Sequence, residues 1–364
     1  MAKSYSKKAR GIVISAQAAE GVPTVTGSVL PADSIACFEP TYDTEISSDT
    51  LEYAGDEFSR DIRTDITDRV LGCTFTTLVP ALGVPAADPA LVDFPLETLF
   101  EATGATVTYS GTAGTSEVKV SNDVVSTNQV TVMVAAVSAD DPTLQKVYRG
   151  FDGNTTVDLD MEIDKRAKLK WSPKAIPVDD AATPETFPEE ITKIVPDYGN
   201  QKDLNLPTLS AKNLTQAELV VYGSLGYGTG TLDLPAPFAG TVKNFCFSKI
   251  MASNLFGFTW ERLHNSCQTG FEKLVATTDV VITILEDDLS ATLIPDRNVT
   301  AGGMLEGYFA FALEYGKVAG KTFYLTFDKL QCVNVKNTEV GSRSAKELTF
   351  KNCSHVTLIW NAAA

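Results

Sequence analysis

The sequence predicts a mainly β protein of sandwich- or barrel-like architecture, with one short peripheral α-helix and a second half that is also β-rich. Three observations carry that expectation. Residues 156–171, TVDLDMEIDKRAKLKW, alternate apolar and charged side chains with a period of two, as a strand with one buried face does. Runs such as QVTVMVAAVS, VVITILEDD and KTFYLTFDKLQCVNV spread strand character over the whole chain. Only one stretch carries a convincing helix pattern.

In the 156–171 ribbon, Val157, Leu159, Met161 and Ile163 share one face and Asp158, Asp160, Glu162 and Asp164 the other. Continued in register, Arg166, Lys168 and Lys170 join the polar face, and Ala167, Leu169 and Trp171 the apolar one. As one strand the ribbon would span about 50 Å. A kink or bulge is therefore expected near Lys165, which falls on the apolar face. The charged face has two readings. It is a solvated sheet face, or it lines a surface that must not bind anions, with its basic end meeting acids on a neighbouring strand or subunit. Acids spread along a strand do not converge in a pocket, so no catalysis is implied.

Composition sets the outer limits. The chain has 364 residues, of which 44% are hydrophobic and 21% charged, enough for one large or two average domains with a real core. Its net charge of −16 disfavours binding to nucleic-acid phosphate, without excluding a channel through which DNA passes unbound. No transmembrane span is present. The apolar run GIVIS after the basic start is too short for a signal-peptide core, so the chain is expected to stay in a cytoplasm until assembly. The six cysteines, Cys37, Cys73, Cys246, Cys267, Cys332 and Cys353, lack metal-site spacing and read as small apolar side chains in strands, with disulfides as the alternative.

Along the chain, residues 1–30 are expected to form an arm carrying the early basic cluster of Lys3, Lys7, Lys8 and Arg10. A β module over 31–175 follows. It opens with a short strand at Ser34–Phe38 and a long acid-rich loop, Glu39–Arg60, which has no convincing period. Ile62–Leu78 returns to strand character. Pro80–Asp93 is a connector, and Phe94–Thr103 is the helix, with Asp93 as cap, Pro95 in the first turn and Gly104 as the stop. Leu96, Leu99 and Phe100 fall on its apolar face. Strands resume from Thr106. Asp152-Gly153-Asn154 reads as a turn leading into the ribbon. Prolines crowd residues 176–209, a linker, and 210–364 forms a second β-rich module or the second half of one fold.

Signatures of catalysis and cofactor binding are missing. The chain has two histidines, His264 and His355, neither placed beside a convincing nucleophile. There is no GxSxG, P-loop, HExxH or EF-hand pattern. The glycine-rich YGSLGYGTG is not followed by a helix pattern and reads as a hairpin turn. No enzyme, cofactor or metal is expected.

The order of features resembles the tail tube proteins of long-tailed bacteriophages. An arm precedes a strand and a long loop. The strand VLGCTFTTLV runs into a Pro/Ala segment and the short helix of DPALVDFPLETLFEATG. YRGFDGNTTVDLDMEIDKRAKLKW then supplies a glycine turn and a strand whose polar face lies near the lumen. PAPFAGTVKNFCFSK and DVVITILEDD are similar to the second half of longer members. The resemblance implies a major tail tube subunit of the virion, assembled in the host cytoplasm into stacked rings that form the DNA conduit. The rings would hold six chains, or three if the halves are duplicated modules. It assigns Asp158, Asp160, Glu162 and Asp164 to the lumen wall, and Arg166, Lys168 and Lys170 to pairing between subunits. Ring stacking falls to Tyr42, Asp43, Glu45, Glu52, Tyr53, Asp56, Glu57 and Arg60, with Lys7, Lys8 and Arg10 in the arm. Other tail proteins (sheath, terminator, tape measure, baseplate) are the further partners it implies, and DNA passes without specific binding. A different class, an adhesin or carbohydrate-binding sandwich, would need an aromatic platform, for which Tyr222, Tyr227 and Trp260 are the candidates. A terminator or baseplate subunit would form one ring and stop.

Overall fold

Alternating apolar and polar residues become strand after strand. The computed structural model describes residues 5–19, 21–22, 37–54, 60–80, 94, 96–112, 115–122, 129–138, 145–162, 167–177, 219–222, 244–245, 247–262, 271–275, 278–285, 309–315, 322–352 and 355–363. The chain opens with β1 (Tyr5–Ala16), β2 (Phe38–Ala54) and β3 (Arg60–Leu78), then α1 (Glu97–Ala102). Next come β4 (Thr106–Thr112), β5 (Thr115–Ser121), β6 (Val130–Ser138), β7 (Gln145–Asn154), β8 (Val157–Glu162), β9 (Lys168–Trp171) and β10 (Lys174–Pro177). The later strands begin with β11 (Leu219–Tyr222), β12 (Asn244–Phe245), β13 (Phe247–Phe256), β14 (Phe258–Arg262) and β15 (Phe271–Val275). They end with β16 (Asp279–Leu285), β17 (Phe309–Tyr315), β18 (Thr322–Val340), β19 (Arg343–Asn352) and β20 (Val356–Ala363).

The chain divides into two units. The first takes Met1–Thr76, Asn128–Thr155 and Ser172–Asp197, and the second takes Thr77–Thr127, Thr156–Trp171 and Tyr198–Ala364. This division cuts across the linear order of arm, module, linker and module that composition suggested. Residues 156–171 belong with the C-terminal strands, and the start of the expected linker is β10, a strand of the first unit. Residues 178–209 lie outside those described.

In the first unit, β1 pairs with β2 and β6, β6 with β7, β7 with β10, β10 with β3, and β3 with β2, all antiparallel. The circuit closes, giving a six-stranded barrel in which each strand has a partner on both sides. Its small girth forces close approaches. A Cβ at Gly150 would lie 2.7 Å from Ala175 Cβ. Residues 5–16 are thus not the arm expected at the N-terminus: Ile12, Val13 and Ile14 are buried, because GIVIS supplies apolar side chains to the barrel. Nor is Glu39–Arg60 a loop. Phe38–Ala54 and Arg60–Leu78 form one long antiparallel hairpin, held over its outer part by backbone pairing rather than by a side-chain period. The expected turn at Asp152-Gly153-Asn154 is the end of β7. Asp152 does adopt a turn-like left-handed φ of 49°. Its carboxylate accepts hydrogen bonds from Gln17 Nε2 (2.9 Å) and Gly21 N (2.8 Å), and its own N–H donates to Gln17 Oε1 at 2.6 Å. This clamp fastens the segment after β1 to the end of β7.

In the second unit two sheets share β18. One runs β9-β8-β13-β16-β19 and ends on the C-terminal half of β18. The other runs β12-β11-β17, the N-terminal half of β18, then β20-β5-β4. A register shift between Cys332 and Asn334 lies where β18 passes from one sheet to the other. β14 and β15 form a separate two-stranded ribbon.

The core of this unit is aromatic, and α1 supplies its centre. The helix is shorter than expected: Leu96 is its N-cap residue and no side chain caps it, while Gly104 ends it at a φ of 83°. Asp93 and Pro95 fall outside the described residues. Phe100 is fully buried, with ring centroids 5.1 Å from Trp171, 5.9 Å from Phe256 and 5.7 Å from Trp360. Trp171 and Phe256 come from one sheet and Trp360 from the other, so this ring joins both layers. Both indoles have acceptors. Trp171 Nε1 donates to Thr77 Oγ1 (2.8 Å) and Trp360 Nε1 to the Pro80 carbonyl (3.0 Å).

Cys37, Cys73 and Cys332 are buried free thiols, in keeping with their reading as small apolar side chains. Burial pushes Cys37 up to about 12 and Cys332 up to about 11. Burial, then the neighbouring Cys37, raises Cys73 as well. Two outcomes are expected. A thiol reagent at neutral pH will modify at most Cys246, Cys267 and Cys353 in the folded chain and all six cysteines after denaturation, because a protonated, buried thiol does not react. Phe100→Ala should lower unfolding stability by about 3–5 kcal/mol in a denaturant titration, whereas a peripheral helix would lose far less.

Candidate functional site

The alternation of the 156–171 ribbon is realised, but not as one kinked strand. β8 and β9 fold back on each other as a hairpin, with Val157 opposite Trp171, Asp158 opposite Lys170, Leu159 opposite Leu169 and Asp160 opposite Lys168. Val157, Leu159, Met161, Ala167, Leu169 and Trp171 are buried, and Asp160, Lys168 and Lys170 are exposed. The acids meet the basic end of their own ribbon. A mirror in the sequence signals this: Asp160 and Lys168 are equidistant from Asp164, as are Asp158 and Lys170, the relation required of cross-strand partners. Asp164 and Arg166 lie outside the described residues.

Pairing of β8 with β13 extends the pattern in a way the sequence did not reveal. Glu162 stands opposite Lys249, and Asp160 opposite Met251. Farther across the same face, Lys351 Nζ lies 2.8 Å from Asp279 Oδ1, and Lys336 stands opposite Glu347. Each expected lumen acid among the described residues therefore has a lysine directly across from it, and such pairs contribute roughly 0.2–1 kcal/mol each.

Asp158 has a second task. Its Oδ1 accepts a hydrogen bond from Asn254 N at 2.8 Å, and Asn254 holds a left-handed φ of 52°. Gly257, three residues on, has a φ of 139°, and a Cβ there would lie 2.7 Å from Thr156 Cγ2 and 2.9 Å from Thr156 Cα. The register of β13 against β8 shifts between Ala252 and Phe256. Asp158 is thus a positioning acceptor for this irregular stretch rather than only a surface charge.

A depression of about 290 Å³ opens between Glu162, Lys249, Thr283, Glu347 and the hairpin residues Thr338–Val340. Its lining mixes glutamates, a lysine and hydroxyls. Among the described residues no group of His, Cys, Asp and Glu is arranged to hold a metal ion, and no helix is long and apolar enough to cross a membrane.

The ring-stacking candidates lie along the first-unit hairpin. Tyr42 and Asp43 fall on β2 near the barrel, Glu45, Glu52 and Tyr53 farther along it, and Arg60 at the start of β3. Asp56 and Glu57 are outside the described residues. Tyr42 is half-buried with its ring centroid 5.1 Å from that of Tyr148. Burial first, then Tyr148, pushes its hydroxyl up to about 12. It therefore belongs to the barrel rather than to a free contact loop. Lys7, Lys8 and Arg10 sit on β1, with Lys8 opposite Thr41. Of the aromatic-platform candidates, Tyr222 ends β11 and Trp260 lies in β14. Tyr227 is outside the described residues.

Gly257→Ala should cost about 3 kcal/mol by chemical denaturation, since it adds both a backbone and a steric penalty. Asp160→Lys sets two lysines opposite one another. Adding Lys168→Asp should recover about 0.5 kcal/mol in a double-mutant cycle, and zero coupling would show that the register pair is energetically idle. Comparison of the chain with protein-family models and with curated proteins found no match.

Proposed function

We propose that this chain is a self-assembling structural subunit, the tail tube protein of a long-tailed bacteriophage, stacking in rings of six or three chains to form a DNA conduit. The observation that carries the reading is an unpaired backbone. Among the described residues, Ile46–Ala54 and Arg60–Arg69 pair only with each other. Among those residues, both edges of a two-stranded ribbon about 30 Å long have no partner. Such ribbons are marginal in water on their own. A second edge, Gln331–Val340 of β18, pairs among the described residues on one side only, with β19. Open edges of this length invite strand addition by another copy. A contact between two different surfaces of one subunit type builds closed rings and stacks.

In this proposal the hairpin and its candidates Asp43, Glu45, Glu52, Tyr53 and Arg60 make the contacts between rings, and the polar face of β8 and β9 lines the lumen. Sheath, terminator, tape-measure and baseplate proteins are the further partners proposed.

Negative-stain electron microscopy over a concentration series tests the class. Hollow tubes or stacked rings of even diameter are expected, and their symmetry selects six or three. Uniform single particles at every concentration, together with binding to a sugar array, would replace this reading with the carbohydrate-binding one. A single closed ring that never stacks would favour a terminator or baseplate role. Replacing residues 46–69 with an Asn-Gly turn between Glu45 and Val70 should abolish assembly while leaving the β circular-dichroism signal and a monodisperse chain. Tubes that still form would remove the hairpin from the interface.

A further inference from the structure

The sheet running from β9 to β18 carries five opposite-charge pairs on its polar face: Asp158 with Lys170, Asp160 with Lys168, Glu162 with Lys249, Asp279 with Lys351, and Glu347 with Lys336. Beyond these pairs, the exposed Glu339 and Arg343 of the β18–β19 hairpin add one charge of each sign at this end, Glu339 lining the same depression as Glu162 and Lys249. From β9 to β16 the sign changes from strand to strand, with lysines on β9, carboxylates on β8, Lys249 on β13 and Asp279 on β16, while β19 carries both signs, Glu347 and Lys351. Between them, the middle row holds the uncharged Met251, 37% exposed, and Val281 opposite it.

Strands lie about 4.8 Å apart, so charges that alternate by strand repeat roughly every 10 Å. The potential above such a layer decays over about that repeat divided by 2π, roughly 1.5 Å, well inside the ~8 Å screening length of physiological salt. One water layer (about 3 Å) away, about a seventh of the contact field remains, and a few per cent at about 5 Å.

Resting on the conduit reading for the identity of the passing molecule, we infer that this face is an electrostatically silent track for a polyanion, not a repulsive acidic wall. Phosphates meet neither a cation array that would hold them nor a carboxylate array that would expel them. The lysines are as necessary to this behaviour as the acids.

The test is made on the unassembled chain carrying 13C-methyl methionine, at about 0.15 M salt, where distant charges are screened. Relaxation of the Met251 methyl, assigned with Met251→Leu, is measured with a cationic and with an anionic nitroxide cosolute. The two effects should agree within about twofold, since a local potential of one thermal unit would separate them by about sevenfold. In Lys168→Glu/Lys170→Glu/Lys249→Glu the cationic cosolute should win by about sevenfold or more. A preference of that size in the native chain would overturn the inference, and the native measurement decides even if the triple variant fails to fold. Electron microscopy tests the conduit separately: a silent face on a chain that forms no tubes would remove the polyanion and leave the cancelled field standing.

Discussion

The pairing of β8 on both sides is the constraint from which the second unit follows. Its neighbours are β9, eight residues along the chain at the closest pair, and β13, which is some ninety residues away. The first partner fixes where Trp171 points, and therefore what Phe100 packs against. The second draws the early ribbon into a sheet with β16, β19 and β18. Asp158 and Gly257 serve the same junction from opposite directions, one by accepting a hydrogen bond and the other by having no side chain. Together they let β13 turn out of register and resume pairing at Val157.

That arrangement changes how the acidic stripe is understood. A row of four carboxylates in sequence suggests a field, but a field depends on what stands beside the row. Here lysines from β9 and β13 stand beside it, and both belong to the same chain. Of its acids, Asp158 is the one tied to backbone geometry, so replacing it confounds charge with structure. Asp160 and Glu162 are the cleaner positions at which to change sign.

The strand-rich class was legible because period-two alternation reports burial on one face, and it did so correctly at Val157–Met161 and Leu169–Trp171. The helix was found through Leu99, Phe100 and Gly104, although its depth in the core was not. Sequence could not place it at the centre because its neighbours, Trp171, Phe256 and Trp360, are remote along the chain. The hairpin was missed because Ile46–Ala54 and Arg60–Arg69 are held by main-chain bonds, which leave little periodic trace. The N-terminal strand was missed for another reason: basic residues at Lys7, Lys8 and Arg10 masked the apolar GIVIS that follows them. Of the candidate site, the acids and their alternation were visible, whereas Lys249, Lys336 and Lys351 became partners only through long-range register.

The interleaving of the two units bears on how the chain is made. The barrel of the first unit waits for β10 although five of its six strands precede residue 155. The second unit waits longer, because β20 lies between β18 and β5. During synthesis at roughly 5–20 residues per second, β5 is therefore exposed for on the order of ten seconds or more before residues 356–363 emerge to cover it. The chain thus keeps one of its sheets unfinished until translation is almost over. Crowded ribosomes on one message would hold many such incomplete edges, and chaperone capture of the nascent chain between β5 and β20 is where yield would be decided.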